Sequence, residues 1–480
     1  MAGRLRGTGC VLSIMEERPH LVPMDNDASY PPSRRAWLML LALSAAAACL
    51  LWLPLDLNAR KGLALLVFIG LLWLTEALPL PVTSLLVPLG ALLLGFEGLN
   101  TTRALAPFAD PIVFLFLGGF ALATALRVQR LDRMLAVALL RLSGGHLGRA
   151  VMLLLGVTAL LSMGISNTAT AAMMLPLALG ILAPLTGDSD HRTRVFVLLG
   201  VAYAASLGGM GTLVGSPPNA IAARAAGIDF AQWLWIGLPM VTLLMPLMVL
   251  TLWLVLRPHL DRRIDIDLEP VPWTRERVLT LAVFALTAAG WTLGAAPLKT
   301  LGIQSPDTFV ALAALVALVV LQLARWQDMM RHTDWGVLIL FGGGLALGEV
   351  LGLSGAALVL GQLMAGTLQG ASLWWTLLAV AAFMVLLSEF ASNTAAAALL
   401  VPVFAAVAAP MGLPPEVLIV LVALAASCGF ALPVATPPNA LVFGTGLVPQ
   451  RSMIRAGLAL DGVCVAVLVV AALLVLGIGQ

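Results

Sequence analysis

Apolar stretches about as long as a membrane is thick recur from residue 36 onward, and they constrain the fold more than any other feature. A helix needs about 20 apolar residues to cross a bilayer, and stretches of that order follow one another with short polar breaks. Of the 480 residues, 61% are hydrophobic and 10% are charged, against about 25% charged in an ordinary globular domain. The sequence predicts an all-α polytopic protein surrounded by a lipid bilayer. With a net charge of +2, we expect no nucleic-acid partner.

The apolar stretches amount to about eleven predicted spans. Two further stretches, 150–185 and 373–408, are too long for one span and carry polar residues inside, so we predict two re-entrant hairpins. The stretches 195–226 and 417–443 contain paired prolines and are predicted to be broken helices, because proline removes a backbone donor and disrupts the turn before it. Residues 127–149 carry five arginines and predict an amphipathic helix at the membrane surface.

The order span, hairpin, broken helix, span occurs twice. Ser-Asn-Thr lies inside each hairpin, at 166–168 and 392–394, and Pro-Pro-Asn lies inside each broken helix, at 217–219 and 437–439. Internal repeats with interrupted segments in matching positions are typical of secondary transporters and their binding sites.

On this pattern the chain divides into five parts. They are residues 1–35, a disordered cytoplasmic tail; 36–109, N-terminal scaffold spans; 110–256, the first repeat; 257–334, a connector with spans; and 335–480, the second repeat.

Arginine positions orient the two repeats, because basic loop residues collect on the cytoplasmic side. With the N-terminus inside, sixteen arginines between Arg127 and Arg455 fall in loops or span ends assigned to the cytoplasm, whereas Arg60 and Arg224 are among the few basic residues outside. The first hairpin then opens to the cytoplasm and the second to the outside, which makes the repeats inverted. We expect a multi-pass inner-membrane protein with a cytoplasmic N-terminus and an outside C-terminus.

The repeated polar motifs contain groups that can bind two kinds of ion. Ser-Asn-Thr at a hairpin tip supplies amide and hydroxyl donors, and free backbone N–H groups where a helix begins. Helix N-termini carry about half a positive charge, so two such tips can hold an oxyanion without Arg or Lys. The proline pairs free carbonyls around Gly215 and Ala435 for a hard cation such as sodium. A cation site beside an anion site couples the two.

Four acidic residues, Glu76, Asp110, Glu349 and Glu389, lie within or at the edge of apolar spans, where ionisable groups are functional candidates. Glu389, three residues before Ser392, is a candidate for proton coupling or for a hydrogen-bonded structural role. All five histidines fall in the tail or loops, which argues against a histidine relay or metal site in the core.

Two other classes of function fit the sequence less well. An intramembrane hydrolase could use Ser166 as its nucleophile, but it would need a buried base, and no histidine lies in a span. Because that base is missing, we expect a protein that is not an enzyme. A channel is the other class, and it would show conductance without saturable, coupled uptake.

The two Ser-Asn-Thr words, the two Pro-Pro-Asn words and the stretch Trp-Leu-Thr-Glu-Ala-Leu-Pro-Leu-Pro-Val-Thr at 73–83 resemble the divalent anion–sodium symporter (DASS) family, which transports dicarboxylates, citrate or sulfate. The resemblance implies a homodimer whose scaffold domains hold mobile transport domains that work by an elevator motion. It also implies two or more sodium ions as coupling ions.

The resemblance assigns roles to individual residues. The substrate carboxylates would be held by Asn167, Thr168, Ser216, Asn393, Thr394, Thr436 and Pro437. One sodium site would be lined by Ser162, Asn167 and the Gly215 carbonyl, and the other by Ser388, Ala391, Asn393 and the Ala435 carbonyl. Ser216 departs from the family, which often has Thr there; the hydroxyl is kept and a methyl group is lost.

The sequence thus predicts a secondary active transporter that couples sodium to the uptake of a small divalent anion. A C4 dicarboxylate such as succinate is favoured over citrate or sulfate. The alternative within transport is a dicarboxylate exchanger without net sodium coupling.

Overall fold

The computed structural model describes residues 32–478 except 186, 188–189, 264–271 and 368–371, and within these residues the chain forms twenty-two α-helices and one short 3-10 helix. The first half contains α1 Pro32–Trp52, α2 Leu57–Thr75, α3 Leu80–Leu94, α4 Thr101–Leu105, the 3-10 helix Ala106–Ala109, α5 Pro111–Val128, α6 Leu131–Leu142, α7 Leu147–Ser162, α8 Asn167–Leu182, α9 His191–Gly209, α10 Pro217–Ala226 and α11 Phe230–Leu256. The second half contains α12 Arg275–Leu293, α13 Ala295–Thr300, α14 Pro306–Val320, α15 Trp326–His332, α16 Trp335–Leu353, α17 Ala356–Thr367, α18 Leu373–Phe390, α19 Asn393–Ala408, α20 Pro415–Ala426, α21 Pro437–Gly444 and α22 Gln450–Ile478. Most of the predicted tail, residues 1–35, lies outside the described residues.

The predicted all-α membrane fold is confirmed. Eight helices in the described residues are long and apolar enough to cross a membrane, and six shorter apolar helices accompany them. The expected spans correspond to α1, α2, α3, α5, α11, α12, α14, α16 and α22, with the broken pairs α9–α10 and α20–α21 counting once each.

Both predicted hairpins turn at their Ser-Asn-Thr words. In the first, α7 ends at Ser162 and α8 begins at Asn167, with the Ser166 hydroxyl accepting a hydrogen bond from the Ala169 N–H at 3.4 Å. In the second, α18 ends at Phe390 and α19 begins at Asn393. Serine is a favoured residue just before a helix, because its hydroxyl can accept a bond from an otherwise unpaired N–H group. The Ser-Asn-Thr motifs therefore begin the second helix of each hairpin.

Both predicted broken helices are interrupted just before their Pro-Pro-Asn motifs. We call residues 210–216, between α9 and α10, the first break, and residues 427–436, between α20 and α21, the second break. The helices after the breaks start at Pro217 and Pro437. Proline suits the first helical position, since it has no N–H to leave unpaired and its φ is already helical.

Arginine-bearing loops gather at one end of the molecule. Arg262 pairs with Asp190 at 2.8 Å, and Arg277 donates to the Gln129 carbonyl oxygen at 2.8 Å. The Gln129 side chain in turn donates to the Leu323 carbonyl oxygen at 2.7 Å. These contacts join the loops after α5, α8, α11 and α14 into one surface, which we call the arginine end.

The opposite end is held by a different set of ion pairs. Arg224 of α10 pairs with Asp110 at the start of α5 (2.6 Å), and Arg103 pairs with Glu349 near the end of α16 (2.7 Å). Because α9 starts at the arginine end and α10 finishes here, the first broken helix crosses the whole molecule.

The two hairpins open at opposite ends. The first begins at Leu147, whose N–H donates to the Arg262 carbonyl oxygen at 2.9 Å, and it returns to the loop of Asp190 at the arginine end. The second leaves α19 next to α17, where Pro410 faces Gly361, and α17 directly follows the α16 segment that pairs with Arg103. The repeats are therefore inverted, as the arginine positions in the sequence predict.

The structure differs from the sequence prediction at two helices. One helix was not predicted, and one predicted helix is divided in the structure. Helix α17 occupies in the second repeat the place that α6 has in the first, but its sequence contains no charged residue that would reveal a surface helix. The arginine-rich stretch 127–149 is not one helix, because α5 ends at Val128, α6 covers Leu131–Leu142 and α7 starts at Leu147.

The two repeats interlock around the breaks. Helix α8 packs against α21, α19 packs against α10, and both α9 with α21 and α10 with α20 cross from one half to the other. The pairs α3 with α16 and α5 with α14 pack around this group, with α16 against α19. Each break is thus enclosed by helices from both halves.

Candidate functional site

The first cluster of polar groups forms where the hairpin tip meets the first break. The Ser162 hydroxyl, fully buried at the end of α7, lies 2.6 Å from the Ala205 carbonyl oxygen and 2.8 Å from the Asn167 side-chain oxygen. A serine hydroxyl has one proton, so it can donate to only one of these two oxygens. When the Asn167 side-chain oxygen points inward, three oxygen atoms therefore lie together with one proton among them.

The Asn167 amide can be placed in two orientations in this cluster, and its hydrogen-bond partners favour the one with the nitrogen inward. With its oxygen inward it faces acceptors only; with its nitrogen inward it donates to Ala205 O at 3.1 Å, Ser162 Oγ at 2.8 Å and Gly215 O at 3.1 Å. The inward-nitrogen orientation closes the cluster with hydrogen bonds alone. The inward-oxygen orientation leaves an all-oxygen cluster, which is the ligand set of a hard cation.

Glycine is required around this cluster. A Cβ on Gly215 would stand 2.5 Å from the Gly209 carbonyl oxygen and 2.8 Å from the Ser162 carbonyl oxygen, and one on Gly209 would collide with the Asn167 side chain. The end of α9, the first break and the hairpin tip therefore meet at backbone distance, which only residues without a side chain allow.

The second half contains a matching cluster. The buried Ser388 hydroxyl lies 2.8 Å from the Ala426 carbonyl oxygen and 2.9 Å from the Asn393 side-chain oxygen, so one proton again faces two acceptors. Ala435 holds the place that Gly215 has in the first half. The two clusters therefore contain the same kinds of polar groups, and the second has a methyl side chain where the first has glycine.

The asparagine of each Pro-Pro-Asn word ties its break together. Asn219 donates from its amide to the carbonyl oxygens of Gly209 (2.8 Å) and Thr212 (2.7 Å), and Asn439 spans its own break in the same way, at 3.1 and 3.0 Å. Both side chains are fully buried. In the sequence these asparagines are part of a repeated motif but have no assigned role, although their identical placement in both repeats was the signal.

The remaining predicted residues lie at the surrounding helix starts. Thr168 and Thr394 are half-buried in the first turns of α8 and α19. Ser216 and Thr436 precede α10 and α21, and the Thr436 hydroxyl accepts a hydrogen bond from the Asn439 N–H at 3.3 Å, whereas Ser216 makes no such bond. The structure thus shows a difference between the two halves at the position where Ser replaces Thr.

Pro437 and Ala391 complete the predicted set. Pro437 is exposed, and the nearby Val434 of the second break is 75% exposed, so this face of the break is open. Ala391 is buried at the tip of the second hairpin, and its N–H donates to the Leu387 carbonyl oxygen at 3.0 Å.

Helix starts, and no basic side chain, surround the clusters. Helices α8, α10, α19 and α21 all begin there, and the segments 162–168, 209–219, 388–394 and 426–439 contain no Lys or Arg. Unpaired N–H groups and the helix dipole favour an anion at such places.

The four acidic candidates separate into two groups. Glu76 is exposed where α2 ends, and Asp110 and Glu349 pair with arginines away from the clusters. Glu389 is buried beside Ser388, and its two oxygens accept hydrogen bonds from the backbone N–H groups of the second break. Its hydrogen-bonded structural role is therefore visible in the structure.

Comparisons with known proteins agree with this architecture. A family model described as a citrate transporter matches residues 70–421. An uncharacterized transporter of Haemophilus influenzae is 48% identical over 424 residues, covering 87% of this chain and 92% of the relative. A sodium-dependent dicarboxylate transporter of Staphylococcus saprophyticus is 34% identical over 471 residues, covering 89% of each.

A solved structure shares the fold. The crystal structure of the Alcanivorax borkumensis YdaH transporter, reported to have an unusual topology, superposes with a TM-score of 0.59, covering 93% of this chain and 98% of that one at 17% identity. The inverted repeats, the matching family model and the relatives agree with the resemblance found in the sequence. The chain belongs to the citrate transporter family and is a transporter of the divalent anion–sodium symporter type rather than an enzyme.

Proposed function

We propose that this protein is a secondary active transporter that couples the movement of sodium ions to that of a small divalent anion, most favourably a C4 dicarboxylate such as succinate. The observation that carries the proposal is the repeated cluster in which a buried serine hydroxyl, the side chain of the hairpin-tip asparagine and a backbone carbonyl oxygen converge in each half.

Sodium suits these clusters because hydroxyl, amide and carbonyl oxygens are the ligands that a hard cation binds. In the first half the ion would be held by Ser162, Asn167 and the Gly215 carbonyl, with the Ala205 carbonyl beside them. In the second half it would be held by Ser388, Ala391, Asn393 and the Ala435 carbonyl. One ion in each cluster gives two coupling ions, the smallest number that the family resemblance implies.

The anion would bind between the helix starts. Asn167, Thr168 and Ser216 supply donors from the first half, and Asn393, Thr394, Thr436 and Pro437 line it from the second. Two hairpin tips give one neutral donor set for each carboxylate, which favours a substrate with two separated carboxylates.

Charge balance links the two ions. No Lys or Arg occurs in the motif segments, so a divalent anion would meet only amides, hydroxyls and helix dipoles. Two bound sodium ions would neutralise its two charges, and each species would bind poorly without the other. Such mutual dependence is what symport requires.

The relatives support the substrate class. The Staphylococcus saprophyticus protein is named a sodium-dependent dicarboxylate transporter, and the matching family model is described as a citrate transporter. Citrate and sulfate therefore belong in the same substrate panel as succinate.

Exchange without net sodium transport is the alternative, and one observation favours it. The inward-nitrogen orientation of Asn167 closes the first cluster with hydrogen bonds and no cation. An exchanger would use that closed form and would require an anion on the opposite side of the membrane.

Assembly and location follow the family resemblance. We propose a homodimer that works by an elevator motion, in an inner membrane, with the arginine end in the cytoplasm. That orientation places the N-terminus inside and the C-terminus outside, since basic loops collect in the cytoplasm.

Uptake by the purified protein in liposomes tests the function. Labelled succinate, citrate and sulfate are offered with an inward sodium gradient, with a matched potassium gradient, or with unlabelled anion inside. Symport predicts uptake driven by sodium with empty liposomes. Uptake that ignores sodium and requires internal anion would replace symport by exchange.

A further inference from the structure

In each break, one backbone carbonyl group accepts a hydrogen bond from a buried aromatic side chain. In the first break the Met210 carbonyl oxygen accepts from the Trp233 indole N–H at 3.0 Å. In the second break the Phe430 carbonyl oxygen accepts from the Tyr203 hydroxyl at 2.7 Å. Both aromatic donors are fully buried.

These two carbonyl groups hold equivalent places in the repeats. The shift in residue number that relates the two Pro-Pro-Asn motifs also relates Met210 to Phe430. Gly237 of α11 packs against Met210, and Gly457 of α22 packs against Phe430, each so closely that a Cβ atom would collide with the carbonyl group. The same shift relates the two glycines. The carbonyl groups are therefore repeated features of the fold.

The donors to these carbonyl groups come from different places. Trp233 is on α11, which follows the first break, so that donor belongs to the same repeat as its acceptor. Met453 takes the place of Trp233 on α22, and its buried thioether has no proton to donate. The proton comes instead from Tyr203 on α9 of the first repeat, whose own equivalent in the second repeat is Ala423. The first repeat therefore holds the second break, and alanine cannot return the bond.

The helix that carries Tyr203 also carries part of the first cluster. The carbonyl oxygen of Ala205, two residues further along α9, lies 2.6 Å from the Ser162 hydroxyl. On the other side, the Tyr203 ring packs against the Phe430 ring with 4.9 Å between the ring centroids. Because a helical segment this short moves as a rigid unit, a displacement of this end of α9 reaches the second break through Tyr203.

We propose that Tyr203 is a positioning residue that links the two oxygen clusters. A sodium ion in the first cluster fixes the end of α9, and Tyr203 transmits this order to the second break, which carries the Ala435 carbonyl. The link is a coupling between two sites, so each ion raises the affinity for the other. The role of sodium rests on the proposed function, whereas the anchoring of the second break by Tyr203 does not.

Hydrogen–deuterium exchange of the purified full-length protein, read by mass spectrometry at the two breaks, tests the anchoring. Tyr203→Phe keeps the ring against Phe430 and removes only the hydroxyl. In potassium buffer without sodium, the second break of this variant should exchange about two- to tenfold faster than that of the wild type, as expected for one hydrogen bond. Its first break should be unchanged, and Trp233→Phe, the matched variant, should show the reverse. Wild-type exchange of the second break in Tyr203→Phe would overturn the anchoring.

The same measurement with and without sodium tests the link. Ser388→Ala removes the central hydroxyl of the second cluster, so an effect of sodium on its second break must come from the first cluster. Sodium should slow the exchange of both breaks in Ser388→Ala. When Tyr203→Phe is added, sodium should slow the first break only, whereas added Ser206→Ala, the control, should change nothing. Slowing of the second break that persists without the Tyr203 hydroxyl would overturn the link.

Succinate uptake by Tyr203→Phe measures the consequence for transport. The variant should need about two- to tenfold more sodium for half-maximal uptake, with a lower Hill coefficient and an unchanged maximal rate. A wild-type sodium requirement would contradict the link.

Failure of the proposed function gives a different result. If sodium slows exchange at neither break of the wild type, the sodium clusters and the link are both wrong, and exchange without sodium still decides the anchoring. If sodium slows only the first break in Ser388→Ala, sodium binding stands and the link fails.

Discussion

Gly215 lies so close to Gly209 that a Cβ atom on Gly215 would stand 2.5 Å from the Gly209 carbonyl oxygen. This contact brings the Gly215 carbonyl within 3.1 Å of the Asn167 side chain. The first oxygen cluster therefore depends on backbone packing as much as on the polar side chains.

Gly215→Ala should reduce uptake at least about fivefold, because overpacking costs about 1–3 kcal/mol and about 1.4 kcal/mol is a factor of ten. Ala435 has the same place in the second half, so Ala435→Gly is the matched control and should keep most of the activity. Sodium-driven uptake of labelled succinate measures both. Equal activity of Gly215→Ala and wild type would show that the cluster tolerates displacement of the break.

Asn167→Ala and Asn393→Ala should each abolish uptake while leaving the fold intact. Each change removes an amide that reaches a serine hydroxyl at the centre of a cluster, at 2.8 and 2.9 Å. Uptake and thermal unfolding in detergent are measured on the same preparations. If Asn393→Ala transports normally, the model of two facing hairpin tips is wrong.

Asn219→Ala and Asn439→Ala should destabilise the protein, because each removes two buried hydrogen bonds across a break. At roughly 0.5–1.5 kcal/mol for each bond, we expect a loss of about 1–3 kcal/mol in each variant. Ser206→Ala is the control, since the Ser206 hydroxyl is buried without a partner in the described residues. The shift in the unfolding midpoint measures the effect, and an equal shift in Ser206→Ala would remove the special role of the asparagines.

Much of this architecture could be predicted from the sequence. Ser-Asn-Thr inside a long apolar stretch marks the start of a helix, and Pro-Pro-Asn marks a second start, because these residues stabilise helix N-termini locally. Their repetition predicted the two hairpins and the two breaks, and the arginine positions predicted the inversion of the repeats. The DASS resemblance predicted the pairing of Ser162 with Asn167 and of Ser388 with Asn393, which lie together in the structure.

The features that were missed depend on contacts between distant segments. The need for glycine at Gly209 comes from the Asn167 side chain on the hairpin. Helix α17 was missed for another reason, since it has no charge pattern that separates it from an apolar connector.

The ion pair between Arg224 and Asp110 offers a test of the proposed motion. It joins α10, which packs within the interlocked helices around the breaks, to α5, which packs against α14 outside them. An elevator motion would separate the two residues. With the native cysteines replaced, a thiol-reactive linker between cysteines at 110 and 224 should block uptake until it is cleaved. Full uptake by the linked protein would show that α5 and α10 do not separate during transport.

Sodium dependence of succinate uptake in Ser162→Ala and Ser388→Ala tests the central claim most directly. Each change removes the hydroxyl at the centre of one oxygen cluster. In the wild type, the Hill coefficient of uptake against sodium concentration should exceed one. Each single variant should need a much higher sodium concentration for half-maximal uptake and should show a lower Hill coefficient. Ser206→Ala should match the wild type. Wild-type sodium dependence in both single variants would contradict the assignment of the two clusters as the coupling sites.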